Sequence, residues 1–242
     1  IIKNYKTMDQ SFKLDKKMDL TKFEYEIKSN ESRECVELGL NHFKKHISNV
    51  LINCKENKFV NLFEEKKKTT YSASMISKEQ FDKIFVYKYQ SCQNNDMLHL
   101  LLKNDEKISI SVDLDKDKKI VPRDKKTESI FSVFPLVGSK SHILPFFLNS
   151  SNLEPVTERN ALILHGKDTI NGETKNAGKN RSILMKSIDL FEFLIQKLNE
   201  INCSNMHELA YGLLLSKSPY ESFDLKWYQE TFLTKIRKVI LN

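Results

Sequence analysis

Apolar and polar residues alternate over much of the segment 50–120, and a period of two is the pattern of β-strands with one buried face. The clearest case is Ile108-Ser109-Ile110-Ser111-Val112. Charged turns separate the alternating stretches. The pattern predicts strands at 23–27, 50–54, 58–63, 68–74, 83–89, 97–103, 108–114, 129–135 and 143–148. The segment 77–82 is predicted to form a single helical turn.

Apolar residues recur at helical spacing elsewhere in the chain. This spacing predicts helices at 31–48, 181–201, 205–216 and 224–241. Ser29 or Asn30 is the expected N-cap of the first helix. The helix at 181–201 has a broad apolar face, so we expect it to be well buried. The preceding segment 165–180 is rich in Gly, Asn, Lys and Thr, and it is expected to be a mobile loop.

These elements predict an α+β (mixed α/β) fold, in which a sheet with packed helices is followed by a small helical C-terminal subdomain. A Rossmann unit is excluded because the chain has neither a G-x-G-x-x-G motif nor a regular βαβ rhythm. The expected boundaries are a linker at 1–20, a main domain at 21–201 and the helical subdomain at 202–242.

The formal net charge of +7 raises the question of an anionic partner. Most of the positive residues are lysines, and they are interleaved with acids, as in Lys116-Asp117-Lys118-Lys119. Readers of nucleic-acid sequence depend on arginine for bidentate base contacts. The charge pattern therefore favours an ordinary solvated surface over a nucleic-acid-binding face.

Cysteine and histidine positions give little support to a metal site. The cysteines form no C-x-x-C pair, which favours reduced thiols in a cytoplasmic protein. His42 and His46 lie four residues apart on a predicted helix, but no third ligand of matching spacing is present. No apolar run approaches the ~20 residues that a membrane helix needs, so no membrane partner is expected.

The stretch 134–160 is the most informative part of the sequence. Laid without gaps on 149–160, the middle-domain segment Asp-Ser-Glu-Asp-Leu-Pro-Leu-Asn-Ile-Ser-Arg-Glu of ninety-kilodalton heat-shock chaperones matches at Ser150, Leu153 and Arg159. The sacsin-like pattern is closer still, and the residues that carry it are Phe134-Pro135-Leu136, Pro145-Phe146, Asn149-Ser150, Leu153 and Glu158-Arg159. The region 20–200 therefore resembles the middle, or transducer, region of GHKL-superfamily ATPases.

This resemblance implies a role for Arg159 in ATP hydrolysis. In these ATPases an arginine loop, here 149–160, reaches the γ-phosphate of ATP that a separate domain binds. A guanidinium is always protonated, so it can stabilise the negative charge that develops on the phosphate. Asn160, Lys167, Lys179 and Arg181 are candidates for supporting contacts in or beside this loop. Asn160 departs from the chaperone pattern, which has an acidic residue after the arginine.

The nucleotide pocket itself is missing from the sequence. The chain has no Asp-x-Gly-x-Gly turn and no glycine-rich lid, so by itself it is expected neither to bind ATP well nor to hydrolyse it. The resemblance implies that it is part of an ATP hydrolase. The resemblance implies that ATP and Mg²⁺ are bound mainly by an N-terminal ATP-binding domain of the same polypeptide, with 1–20 as the linker from it. It also implies a protein client and leaves a homodimer open.

A second class of function is compatible with the same sequence. The chain could be a non-catalytic module that binds a protein or a nucleic acid through its lysines. That alternative predicts a contiguous positive face and salt-sensitive binding. The transducer hypothesis instead predicts an exposed Arg159 on a loop, with apolar surface beside it.

Overall fold

The computed structural model describes most of the chain from residue 27 onward and two short strands before it. The described residues are 14–15, 20–21, 27–53, 59–64, 67–92, 97–123, 127–137, 139, 142, 144–170, 173–210 and 223–241. The chain forms two compact units, Ile1–Lys45 and His46–Asn242.

The first unit contains a short antiparallel strand pair and the beginning of a long helix. Strand β1, Leu14–Asp15, pairs with β2, Leu20–Thr21. Helix α1, Asn30–Asn53, begins after Ser29, whose Oγ accepts a hydrogen bond from the Ser32 amide at 3.1 Å. This is the N-cap contact that satisfies one of the otherwise unpaired amides of the first turn.

The second unit is built on an eight-stranded sheet with the order β3-β4-β5-β6-β7-β10-β8-β9. The strands are β3 Phe59–Glu64, β4 Lys67–Phe81, β5 Ile84–Cys92, β6 Met97–Asn104, β7 Ile108–Leu114, β8 Ile130–Ser132, β9 Phe134–Pro135 and β10 Phe147–Ser150. All neighbours are antiparallel except β8 and β10, which are parallel. A register shift interrupts the pairing of β4 with β5 between Met75 and Ser77.

The two faces of this sheet differ in polarity because side chains alternate along each strand. Ile108 and Ile110 of β7 are buried on one face, within the main hydrophobic core. On the other face, the Oγ of Ser109 donates to the side-chain oxygen of Asn53, and that of Ser111 donates to the side-chain oxygen of Asn49. The end of α1 is therefore held against the sheet by hydrogen bonds as well as by apolar contacts.

The helices after the sheet complete the main core. A strand pair, β11 Thr169–Ile170 with β12 Glu173–Thr174, precedes α2, Asn176–Glu200. A short 3₁₀ turn, Met206–Ala210, follows; later, a π-helical stretch, Trp227–Leu233, continues into α3, Thr234–Leu241. The buried core residues of these helices include Leu184, Phe191, Leu194, Leu198, Tyr228, Phe232 and Ile236.

The α+β class expected from the sequence is confirmed, and so is a helix over most of 224–241. Three local expectations are wrong. The segment 50–53 is the end of α1 and not a strand, 77–81 lies inside β4, and α2 begins at Asn176, within the segment expected to be a loop. The predicted strand 23–27, most of the predicted linker 1–20 and the second half of the predicted helix 205–216 lie outside the described residues.

The division expected at residue 201 stays a prediction, although the C-terminal helices share the main core with α2. No described helix is both long enough and apolar enough to cross a bilayer.

Candidate functional site

Arg159 lies on a short loop between β10 and α2, and the two ends of this loop are close together. Pro155 and Leu162 form an isolated bridge at its base. Within the loop the amide of Arg159 donates to the carbonyl of Val156 at 2.8 Å, and the amide of Val156 donates to the carbonyl of Ala161 at 3.0 Å. These bonds fold 156–161 into a tight turn. Arg159 is exposed at its tip.

Arg159 has a φ of 54°, in the left-handed region that non-glycine residues rarely adopt. Such a conformation costs of order 1 kcal/mol for a residue with a Cβ. It persists here because the hydrogen bonds of the turn and the base of the loop define the path of the chain. Backbone strain of this kind is concentrated at functional sites.

A buried amide of α2 anchors both sides of the loop. Asn180 is fully buried, and its side-chain oxygen accepts from the amide of Glu154 at 2.8 Å. Its side-chain nitrogen donates to the carbonyl of Glu154 at 2.8 Å and to the carbonyl of Ile163 at 2.9 Å. One side chain thus joins the two sides of the loop base to the helix. The sequence alone does not indicate this role of Asn180, because a single asparagine in an apolar helix gives no signal of its partners.

The side chain of Arg159 lies against the sheet edge at β8 and β9. Within the part of the chain that the structure describes, its guanidinium has a hydrogen bond to the main chain: Nη2 donates to the carbonyl of Ser132 at 3.2 Å. The following residues, Val133, Phe134 and Val137, are 41%, 61% and 56% exposed. We call these three residues the edge patch. A cationic tip and an apolar surface are therefore adjacent.

The four candidate supporting residues are placed differently. Asn160 and Lys167 are exposed, and Lys179 lies 3.5 Å from the carboxylate of Glu154 in a half-exposed ion pair. Arg181 is 14% exposed and bonded within the fold: it pairs with Asp168 at 2.9 Å and with Asp224 at 2.7 Å. Asn160 and Lys179 are near the turn or its base, whereas the contacts of Arg181 connect α2 to the segments around Asp168 and Asp224.

His46, one of the two histidines whose spacing gave weak support to a metal site, has a carboxylate partner in the second unit. Nε2 of His46 lies 2.8 Å from an oxygen of Glu128, and both side chains are buried. Glu128 is 82 positions away in sequence, so spacing alone could not identify it. The contact gives each buried side chain one hydrogen-bond partner.

No family model, curated protein or solved structure matches this chain. The resemblance of 134–160 to the arginine loop of GHKL ATPases therefore rests on the residues themselves.

Proposed function

We propose that this chain is the middle, or transducer, region of a GHKL-type, sacsin- or chaperone-like ATPase. In this role it docks on an ATP-binding domain of the same polypeptide and directs Arg159 at the γ-phosphate. The observation that carries the proposal is the position of Arg159, exposed at the tip of a closed turn and anchored at its base by Asn180. A positioned guanidinium loses little freedom when it meets a phosphate.

The edge patch supports the docking part of the proposal. Exposed apolar side chains grouped beside a polar functional group are typical of surfaces that a partner covers. Val133 has a φ of 71°, which is a strained conformation for a β-branched residue. Its amide donates to the side-chain oxygen of Asn149 at 3.0 Å, a bond that holds the strained residue in place. The fold therefore keeps the patch and Arg159 in a fixed relation.

The chemistry proposed for this chain is limited to charge stabilisation. ATP and Mg²⁺ belong to the ATP-binding domain, and Arg159 supplies a positive charge from outside that pocket. Arginines supplied in this way are worth about 10³–10⁵ in rate in phosphoryl-transfer enzymes where they have been measured. The contacts of Arg181 with Asp168 and Asp224 fit a role in organising the neighbouring loop.

The test is ATP hydrolysis by the polypeptide that contains both this chain and the ATP-binding domain. We expect Arg159→Ala to lower kcat at least about tenfold, while the Kd for ATP stays within about twofold. Arg159→Gly removes the guanidinium but suits the left-handed backbone, so an equal loss in this variant excludes a collapsed turn as the cause. Lys116→Ala, an exposed lysine of the turn after β7, is the control and should keep full activity.

Unchanged hydrolysis in both Arg159 variants would contradict the proposal. The alternative, a non-catalytic protein- or nucleic-acid-binding module, would then be preferred. It predicts that binding weakens steeply as salt rises, since lysine contacts to phosphates release counterions.

A further inference from the structure

Three polar side chains form a hydrogen-bonded chain across three consecutive strands of the sheet. The register pairs Tyr89 of β5 with His99 of β6, and His99 with Asp113 of β7. Ser91 lies two residues beyond Tyr89, so its side chain is on the same face. Oγ of Ser91 is 2.9 Å from Nε2 of His99, and Nδ1 of His99 is 2.7 Å from Oδ1 of Asp113.

The partners of His99 favour one tautomer of its ring. Nδ1 faces a carboxylate oxygen at 2.7 Å, so Nδ1 carries the hydrogen and donates it to Asp113. In the tautomer with its hydrogen on Nδ1, Nε2 has the lone pair that accepts the hydroxyl proton of Ser91. The serine hydroxyl has a second acceptor in the carbonyl of Met97, but at 3.4 Å that contact is the longer one. The arrangement is a hydroxyl, an imidazole, and a carboxylate that orients the imidazole.

From this geometry we propose that Ser91 is an activated nucleophile for acyl transfer, with His99 as its general base and Asp113 as the group that orients His99. Nucleophile, base and orienting group lie within the distances that such sites require. The imidazole of His99 is fully buried, and the carboxylate of Asp113 is 17% exposed. Burial makes the imidazole–carboxylate contact electrostatically stronger than it would be in water.

The other serines on this face provide an internal contrast. Ser109 and Ser111 are also buried, but their hydroxyls donate to the amide oxygens of Asn53 and Asn49. An amide oxygen satisfies a hydroxyl without being able to take its proton. Ser91 differs from both because its acceptor is a base.

The neighbouring side chains of β5 indicate the class of substrate. Phe85, Tyr87 and Tyr89 precede Ser91 at every second position, on the same face, and all three are half-buried. Phe85 and Tyr87 have centroids 6.4 Å apart, and Tyr87 and Tyr89 have centroids 6.1 Å apart. Ser91 itself is 3% exposed, and the ammonium of Lys78 lies 5.0 Å from the ring centroid of Phe85. The proposal therefore requires an acyl group that reaches Ser91 along the half-buried row, and an ester or thioester with an apolar acyl group is the substrate class that fits this requirement.

The reaction can be written with all atoms accounted for. Oγ of Ser91 forms a bond to the acyl carbon while its proton passes to Nε2 of His99. The alcohol or thiol then leaves, taking that proton, and an acyl-serine remains. Water attacks the acyl-serine, gives a proton to His99, and releases the carboxylic acid as Ser91 regains its proton.

The experiment is covalent labelling of the folded chain with an alkyl fluorophosphonate, with the labelled residue identified by peptide mass spectrometry. We expect labelling at Ser91, no labelling of Ser91→Ala at that peptide, and a labelling rate at least about a hundredfold lower in His99→Gln. Ser109→Ala is the control and should label at the wild-type rate. Hydrolysis of p-nitrophenyl butyrate should follow the same order.

Cooperative thermal unfolding of each variant shows whether it is folded. If His99→Gln fails to fold, the wild-type pH profile replaces it, because a histidine base predicts a labelling rate that falls as its imidazole is protonated. The proposal is overturned if the folded wild type is not labelled at Ser91, or if its labelling rate does not depend on pH. Neither result bears on Arg159, whose test is ATP hydrolysis.

Discussion

Asn180 shows how much one side chain can contribute to the structure of a loop. Its three hydrogen bonds close the base of the arginine loop against α2. In Asn180→Ala, part-buried backbone groups of Glu154 and Ile163 lose these partners, at about 1 kcal/mol or more each. We expect the free energy of unfolding to fall by about 2–4 kcal/mol and amide exchange in 154–163 to accelerate.

The matched control is Asn152→Ala, because the side-chain amide of Asn152 makes one long, exposed contact, with the carbonyl of Glu106 at 3.4 Å. Its effect on the free energy of unfolding should stay below about 1 kcal/mol. Equal exchange rates for the loop in wild type and Asn180→Ala would show that Asn180 does not position Arg159.

A buried histidine predicts how stability depends on pH. Burial lowers the pKa of His142 to about 4, while its Nδ1 donates to the carbonyl of Ser139 at 3.3 Å and its ring contacts Phe223 and Tyr228. Between pH 6.5 and about 4 the unfolded chain binds the proton and the folded chain does not. Stability is therefore present above pH 6.5 and falls as the pH is lowered, by up to about 3 kcal/mol.

Urea unfolding of wild type and His142→Phe at several values between pH 4.5 and 7.5 measures this contribution. The decrease in stability on acidification should be smaller in the variant, since phenylalanine does not titrate. His207→Gln changes an exposed histidine and should keep the wild-type slope. Parallel curves for wild type and His142→Phe would refute the assignment.

At the scale of elements, two helical glycines differ in what surrounds them. A Cβ on Gly178 of α2 would lie 2.5 Å from the backbone oxygen of Asp168, whereas one on Gly39 of α1 would meet nothing within 4 Å. Alanine favours a helix over glycine by about 1 kcal/mol. We expect Gly39→Ala to raise the free energy of unfolding by up to that amount, and Gly178→Ala to lower it because the backbone at Asp168 must move.

Thermal unfolding of the two variants provides the comparison, and their opposite signs are the diagnostic result. If Gly178→Ala is as stabilising as Gly39→Ala, the close approach of α2 to the Asp168 backbone is not a constraint on the fold.

Sequence patterns located most elements of the fold but misplaced some of their ends. Alternation identified β7 because its apolar residues face the main core and its serines face α1. The same residue types led to a wrong prediction of a strand at 50–53. In the structure Ile47, Leu51 and Ile52 are buried residues of helix α1. The segment 77–81 stays in β4 because the strand continues past its register shift at Met75.

The candidate site was predictable only in part, because most of its contacts join residues that are distant in the sequence. A motif marks Arg159 because its residues are close in sequence. Contacts between distant segments determine the partners of Asn180 and Glu128. Strand register determines the hydrogen bonds that link Ser91 and Asp113 to His99. Register is fixed by the packing of whole strands, so a one-residue change in pairing would separate His99 from both of its partners.

For the main unit as a whole, the proposed role requires one edge of the sheet to act differently from the other. The sheet ends at β3 on one side and at β9 on the other, and each edge carries exposed aromatic residues. At β3, Phe63 is 68% exposed and has the ammonium group of Lys68 5.7 Å from its ring centroid. At β9, Phe134 belongs to the edge patch beside Arg159. Only the β9 edge combines apolar surface with the proposed phosphate-contacting residue.

This asymmetry gives a prediction about docking. Phe134→Ser removes an exposed ring, so the free energy of unfolding should change by no more than about 0.5 kcal/mol. In the polypeptide with the ATP-binding domain, however, loss of the apolar contact should lower kcat at least about tenfold by weakening domain docking. Phe63→Ser makes the same change at the opposite edge and should leave hydrolysis unchanged. Equal effects of the two variants, or none from Phe134→Ser, would mean that the edge patch is not the docking surface.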